Sequence, residues 1–348
     1  MKDLLNDDIR LLMRKDNCFD FIRYFLAFSV IIVHFCVLTG IDQFWFMSGM
    51  ERVRSFFILS GFLVFYSYIK RPNVKEYAGK RFRRIYPAYF FVIIVCVVAG
   101  IFATSLPISE YLLSKQTYQY LLANLGFMNF LQPNLPGVFE NNIYPVVNGA
   151  LWTLKVEVMF YISVPFVYFL LKRYNKLAVM LGLLILSALY YEFCNVLYER
   201  SGNFLFLQLR KQFGGQFIYF FSGGLILLYF NLFQKYVKYI FPLAIVIYIF
   251  REDFIVFHYL EPLALASILI GFAYNFKYLN FLRKYDNISY GIYLFHFPVI
   301  QVVINYGLPG KNIYLAFFVV LIVTVLLSIL SWKLIEKPII MKRKKLPQ

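Results

Sequence analysis

Charge is what this chain has least of. Asp, Glu, Lys and Arg make up 15% of its 348 residues, where soluble proteins carry about 25%, and hydrophobic residues reach 61%. That balance excludes a soluble globular fold. There is also no polar block long enough to form a separate domain, because apolar runs recur from near residue 19 to residue 335. One integral-membrane domain follows. The four cysteines, Cys18, Cys36, Cys96 and Cys194, show no C-x-x-C spacing and sit mostly in apolar runs, so neither a disulfide framework nor a metal site is expected. The first 17 residues are polar and include Asp3, Asp7, Asp8 and Asp16, which excludes a cleaved signal peptide.

Acidic residues are the scarcer sign, 18 against 35 basic, for a net charge of +17. In a soluble protein that excess would raise nucleic-acid binding. Here the bases cluster in short loops with no RNA- or DNA-binding motif beside them, so no nucleic-acid partner is expected and the charge reads as topology. Apolar stretches long enough to cross about 30 Å of hydrocarbon lie near 19–39, 53–69, 85–104, 151–171, 177–195, 213–231, 238–250, 255–275, 287–306 and 313–335. They predict an all-α integral membrane bundle of about ten transmembrane helices over 19–338, between a cytoplasmic tail 1–18 and a basic cytoplasmic tail 339–348. Lys and Arg counted over alternate loops give 25 on the side of the termini and 8 on the other, with Arg23 and Lys155 inside spans, so both termini are expected in the cytoplasm. The long connection 105–150 falls on the outer side and is either a tolerated loop or a surface-lying segment that helps build an outward cavity. The tail Lys342 to Lys345 reads as an anchor at an anionic membrane surface.

Ionisable groups inside spans cost several kcal/mol each, so they need a partner, water or a task. Arg23 and His34 are 11 residues apart on the first helix, which at about 100° and about 1.5 Å per residue puts them on one face roughly 16 Å apart. A pathway across most of the bilayer would touch both; the bland alternative is a snorkelling Arg23 and a His34 satisfied by a neighbouring helix. Glu157, on the fourth span, lies at a depth similar to that of His34, and a carboxylate facing an imidazole can fix its tautomer. Lys155 points about 200° away from Glu157. Ser60 and Gly61, in FFILSGFLVFY, suit either close helix packing or a site. Ser289, Tyr293 and His296 share a stripe of the ninth span ahead of Pro298, where His296 reads as a structural hydrogen-bonding group or a substrate contact. Lys80, Arg81, Arg83 and Arg84, in KRFRRIYP, serve either topology or bidentate phosphate recognition.

Together FDFIRYFLAFSVIIVHF, FFILSGFLVFYSY, KRFRRIYPAYF, LWTLKVEVMFY and SYGIYLFHFPV, in that order, resemble the acyltransferase-3 family of multi-pass membrane acyltransferases over about residues 19–338. The resemblance implies transfer of an acyl group, most often acetyl from acetyl-CoA, to a hydroxyl of a carbohydrate or lipid-linked glycan, at a cytoplasmic (inner) membrane. It implies that His34 is the essential histidine, that Arg23 belongs to the donor-binding face, that Arg81, Arg83 and Arg84 meet the coenzyme phosphates, and that Glu157 belongs to the active site. Ser60, Tyr161, Tyr293 and His296 are the candidate acceptor-side or oxyanion contacts. A separate extracytoplasmic protein that completes the reaction stays open, as do direct transfer and an acyl-histidine intermediate. The rival from another class is a transporter or flippase of a glycan or small anion, since buried Arg, His and Glu also mark transport pathways. The spans show no repeat of two similar halves to support it.

Overall fold

A computed structural model describes residues 17–42 and 47–341. The acidic positions Asp3, Asp7, Asp8 and Asp16 and the tail from Lys342 lie outside the described residues. Helix makes up 82% of the chain, with no strand among the described residues. The helices are α1 Phe19–Thr39, α2 Gly49–Lys70, α3 Val74–Ala103, α4 Ile108–Leu113, α5 Lys115–Leu125, α6 Trp152–Arg173, α7 Lys176–Ser201, α8 Phe204–Arg210, α9 Phe213–Leu228, α10 Phe230–Ile249, α11 Ile255–Asn275, α12 Ser289–Asn305, α13 Leu308–Lys311, α14 Ile313–Ser331 and α15 Lys337–Met341. A π-helical turn, Trp332–Glu336, joins the last two.

Among the described residues, eight helices are long and apolar enough to cross a membrane, and a ninth arises if the 3₁₀ segment Lys277–Lys284 and α12 count as one span. The chain is therefore a multi-pass membrane protein. The expected span 213–231 is α9, 16 residues long and ended at Tyr229, while the short stretch expected at 238–250 belongs to the 20-residue α10. Large apolar side chains such as Leu186 and Phe193 are more than half exposed, which in a bilayer is contact with lipid tails.

Contacts divide the chain into two units. The first comprises the described part of Met1–Arg23, with Met50–Tyr77 and Val156–Tyr285; the second comprises Tyr24–Gly49, Ala78–Lys155 and Asp286–Gln348 in its described parts. In the first unit, α2 and α9 meet backbone to backbone. A Cβ on Gly61 would lie 1.8 Å from the Phe220 carbonyl oxygen, and one on Gly223 would lie 2.2 Å from that of Ile58. The Ser60-Gly61 pair thus has the packing role its small size suggests. Gly61→Ala is expected to cost at least about 1–3 kcal/mol, the usual penalty of overpacking. A thermal-melt comparison of the purified proteins should show it as a lowered midpoint.

Prolines inside helices leave the carbonyl four residues earlier without its donor, and the fold supplies substitutes. Pro165 frees Tyr161 O, which accepts from the Tyr77 hydroxyl at 3.2 Å in the first unit. Pro298 frees Leu294 O, which accepts from Asn148 Nδ2 at 3.0 Å in the second. Asn148 belongs to the long connection 105–150, which is built rather than slack. It forms α4 and α5 and an antiparallel bridge between Thr104 and Val138. Its Val146 carbonyl takes a hydrogen bond from the fully buried Gln301 at 2.6 Å, and Asn142 Nδ2 returns one to Gln301 Oε1 at 2.9 Å. At the loop before α12, Lys337 bonds Asp286 at 2.7 Å and holds that carboxyl below the usual carboxylate range.

Candidate active site

The second unit carries the two histidines of the expected site. Asp20 in the first turn of α1 suits the positive end of its dipole, and the helix runs unbroken to Thr39, bringing His34 to a half-buried position. His34 Nδ1 lies 2.7 Å from His296 Nε2, with the two rings 15° from parallel. His296 is fully buried, and its Nδ1 faces the Ile292 carbonyl oxygen at 3.2 Å.

Those two distances fix the protons of the neutral pair. A carbonyl oxygen only accepts, so His296 Nδ1 carries the hydrogen and its Nε2 is an acceptor. The contact between the rings then requires His34 Nδ1 to donate, which leaves the basic lone pair of His34 on Nε2. A buried imidazole thus stands where a carboxylate orients the base of a Ser-His-Asp triad. The Phe297 ring meets His34 edge-on, with centroids 5.3 Å apart. Gly149 makes room for that ring, since a Cβ there would come within 2.7 Å of it. Tyr293, one turn before His296, bonds the Ala150 carbonyl at 2.9 Å and lies 2.6 Å from Thr153 Oγ1. It ties α12 to the start of α6.

Other expected residues gather in the first unit. Ser60 Oγ donates to Glu157 Oε1 at 3.3 Å, and the Tyr161 hydroxyl donates to the same oxygen one helical turn on. Two hydroxyls thereby hold the half-buried Glu157 side chain. Arg23 pairs with Asp20 at 3.1 Å near the start of α1. Lys155, in the second unit, places its ammonium 4.4 Å from the Phe130 ring centroid, and so has an aromatic partner.

Within the basic cluster the arginines are not equivalent. Arg84 pairs with Glu336 at 3.5 Å, and its guanidinium sits against the rings of Tyr290 and Trp332 at 5.7 and 5.8 Å. Glu336 is 1% exposed, so Arg84 answers a buried carboxylate that the sequence reading did not single out. Also unanticipated was an ionic network in the first unit. Glu51 accepts from Arg251 and from Tyr248, each at 2.7 Å, and the Tyr219 hydroxyl donates to Glu261 at 2.5 Å beneath the Arg54 guanidinium. Three of the eight bases counted on the minority side, Arg52, Arg54 and Arg251, belong to this buried region. The signal available in the sequence was a cluster of charges at the very start of the second span, with Glu261 inside the eighth.

The Acyltransferase domain family, Acyl_transf_3, matches residues 16–333. Nodulation protein 10 of Rhizobium leguminosarum bv. viciae is 29% identical over 92% of this chain and 92% of its own length. An O-acetyl transferase of Shigella phage Sf6 is 26% identical, covering 93% of this chain and 96% of its own. O-acetyltransferase OatA of Staphylococcus aureus is 23% identical over 92% of this chain, which spans 56% of that protein. No solved structure matches.

Proposed function

The chain belongs to the acyltransferase-3 family and is an acyltransferase, and from that premise we propose that it moves an acetyl group from cytoplasmic acetyl-CoA to a hydroxyl of an extracytoplasmic or lipid-linked glycan. The observation that carries this reading is the imidazole pair, in which His296 holds His34 with its lone pair on Nε2. His34 Nε2 takes the proton of the acceptor hydroxyl as that oxygen bonds to the thioester carbonyl carbon. The C–S bond then breaks, and the proton leaves with the coenzyme thiol. General-base help of this kind contributes about 10²- to 10⁴-fold; the rest comes from positioning and from donors aimed at the developing oxyanion. Ser60, Tyr161 and Tyr293 are proposed as contacts of the acceptor or, after turning their hydrogens from Glu157 and the Ala150 carbonyl, of the oxyanion, and Glu157 is proposed as the second ionisable group of the site.

In the proposed orientation both termini lie in the cytoplasm and the host membrane is the inner membrane, as the loop-charge asymmetry favours. Arg23, Arg81, Arg83 and Arg84 are proposed as donor-binding residues, Arg84 being also the partner of Glu336. The cluster predicts a split. Arg83→Ala raises KM for acetyl-CoA about tenfold or more, the worth of one charge-assisted hydrogen bond, without loss of folded protein. Arg84→Ala instead removes the cation beside the buried Glu336, which keeps only the Ser331 hydroxyl among its described partners; with the arginine a third exposed the loss is about 1–3 kcal/mol and shows as reduced folded yield.

The reading is tested by supplying acetyl-labelled CoA to membranes that contain the protein and the glycan. Label on the glycan supports it. Export of unmodified glycan without label would favour transport and overturn it.

A further inference from the structure

In the first unit, the amino-terminal turns of α2, α9 and α11 and the second half of α7 enclose an open cleft of about 540 Å³, solvent at its mouth included. Its walls include Arg54, Tyr191, Glu192, Tyr219, His258 and Glu261, none of which takes part in the acyl-transfer chemistry above. We propose that this cleft binds a sugar ring as a second saccharide site of the protein, apart from the residues that carry the transfer.

Two observations point to a ligand. Glu261 is 5% exposed, yet only its Oε2 is engaged, by Tyr219; its Oε1 is buried and makes no hydrogen bond. The Nε of Arg54, whose guanidinium lies 4.5 Å over the Tyr219 ring centroid, is likewise buried without an acceptor. A buried acceptor and a buried donor left unmet are each unfavourable, and a hydroxyl, which both donates and accepts, answers both.

The rest of the lining selects among ligands. Arg251 is neutralised by Glu51 at 2.7 Å and Glu252 at 3.6 Å, and the remaining charges of the lining are Arg54 with Glu192 and Glu261. An anion such as a phosphate would meet surplus carboxylate. A lipid chain would strand the polar wall. A sugar ring presents hydroxyls to Glu261, Arg54 and Glu192, whose Oε2 also accepts from Asn195 at 3.0 Å, and an apolar face to Tyr259, while Tyr191 carries the Arg210 guanidinium at 5.0 Å. All the helix ends involved lie, in the proposed orientation, on the side away from the cytoplasm, where an extracytoplasmic glycan would be met. For that placement the inference rests on the proposed function.

The test uses the full chain, purified in detergent as the His34→Ala protein so that no transfer intrudes. Saturation-transfer NMR with glucose, galactose and N-acetylglucosamine reads binding directly. At least one of the three is expected to bind, with its dissociation constant raised tenfold or more by Glu192→Gln on the rim. Glu261→Gln, if folded, should do the same. Absence of binding by all three sugars, or binding indifferent to both Glu192→Gln and His258→Ala, would overturn the assignment. Because the readout needs no catalysis, failure of the cleft and failure of the acetyl-transfer reading are separate results.

Discussion

His34→Ala is expected to lower acetyl transfer by about 10²- to 10⁴-fold with KM for acetyl-CoA nearly unchanged, since the proposed role of the imidazole is on the acceptor proton and not on donor affinity. The substitution removes a half-buried ring in the carboxyl-terminal part of α1 and leaves the helix intact. Among its structural costs, His296 Nε2 loses its donor in a fully buried setting. His34→Gln separates the two effects, because an amide can still donate to His296 Nε2 and yet has no basic nitrogen to accept the proton. Both variants should therefore be inactive, and the glutamine protein should be the more stable. Steady-state kinetics on purified protein, beside a folded-fraction measurement, checks this. Near wild-type turnover in folded His34→Gln would remove the general base from the account.

The second large effect belongs to His296, as a positioning residue. His296→Leu removes the acceptor that holds the hydrogen on His34 Nδ1, so the ring can present N–H rather than a lone pair to the acceptor hydroxyl. Loss of the tautomer-fixing partner in a Ser-His-Asp triad costs about 10⁴-fold in turnover, and His296→Leu should approach that figure in kcat while sparing KM. A merely structural role would be met by any well-packed side chain. The stated role requires an acceptor at Nε2, so His296→Gln, whose amide oxygen can accept from His34 Nδ1, should recover part of the activity that His296→Leu loses. Equal activity in the two variants would contradict it.

Much of this was legible in the sequence, for identifiable reasons. Long apolar runs name membrane helices almost by themselves, because lipid demands intrahelical hydrogen bonding, and the expected spans around α1, α3, α6 and α14 correspond to helices of the required length. Their number was less legible. Whether Phe213–Leu228 and Phe230–Ile249 cross separately depends on a break at Tyr229 that no glycine or proline announces. His34, Glu157 and His296 stood out as polar groups in apolar surroundings, but their partners did not. A contact such as His34 with His296 joins residues 262 apart in sequence and depends on tertiary packing. Depth arguments could suggest Glu157 as a neighbour of the histidine; the hydrogen bonds seen for that carboxylate come from Ser60 and Tyr161. The charges at Arg52, Arg54 and Arg251 looked like ordinary loop residues because counting by loop ignores burial. The long connection hid its order for a similar reason. Asn142 and Asn148 act by answering Gln301 and the carbonyl freed by Pro298, and polarity in a loop does not tell which carbonyl it will meet.

The scarcity of histidine makes the decisive measurement practicable. The chain has three, His34, His258 and His296, so a protein labelled with ¹⁵N-histidine gives a spectrum that His34→Gln and His258→Gln variants can assign. At a pH where the rings are neutral, the proposed chemistry requires His34 to carry its hydrogen on Nδ1 and none on Nε2, with a coupling from its Nδ1–H to His296 Nε2. A His34 found with the hydrogen on Nε2 and a bare Nδ1 would present no base to an acceptor hydroxyl, and the proposed chemistry would fall with it.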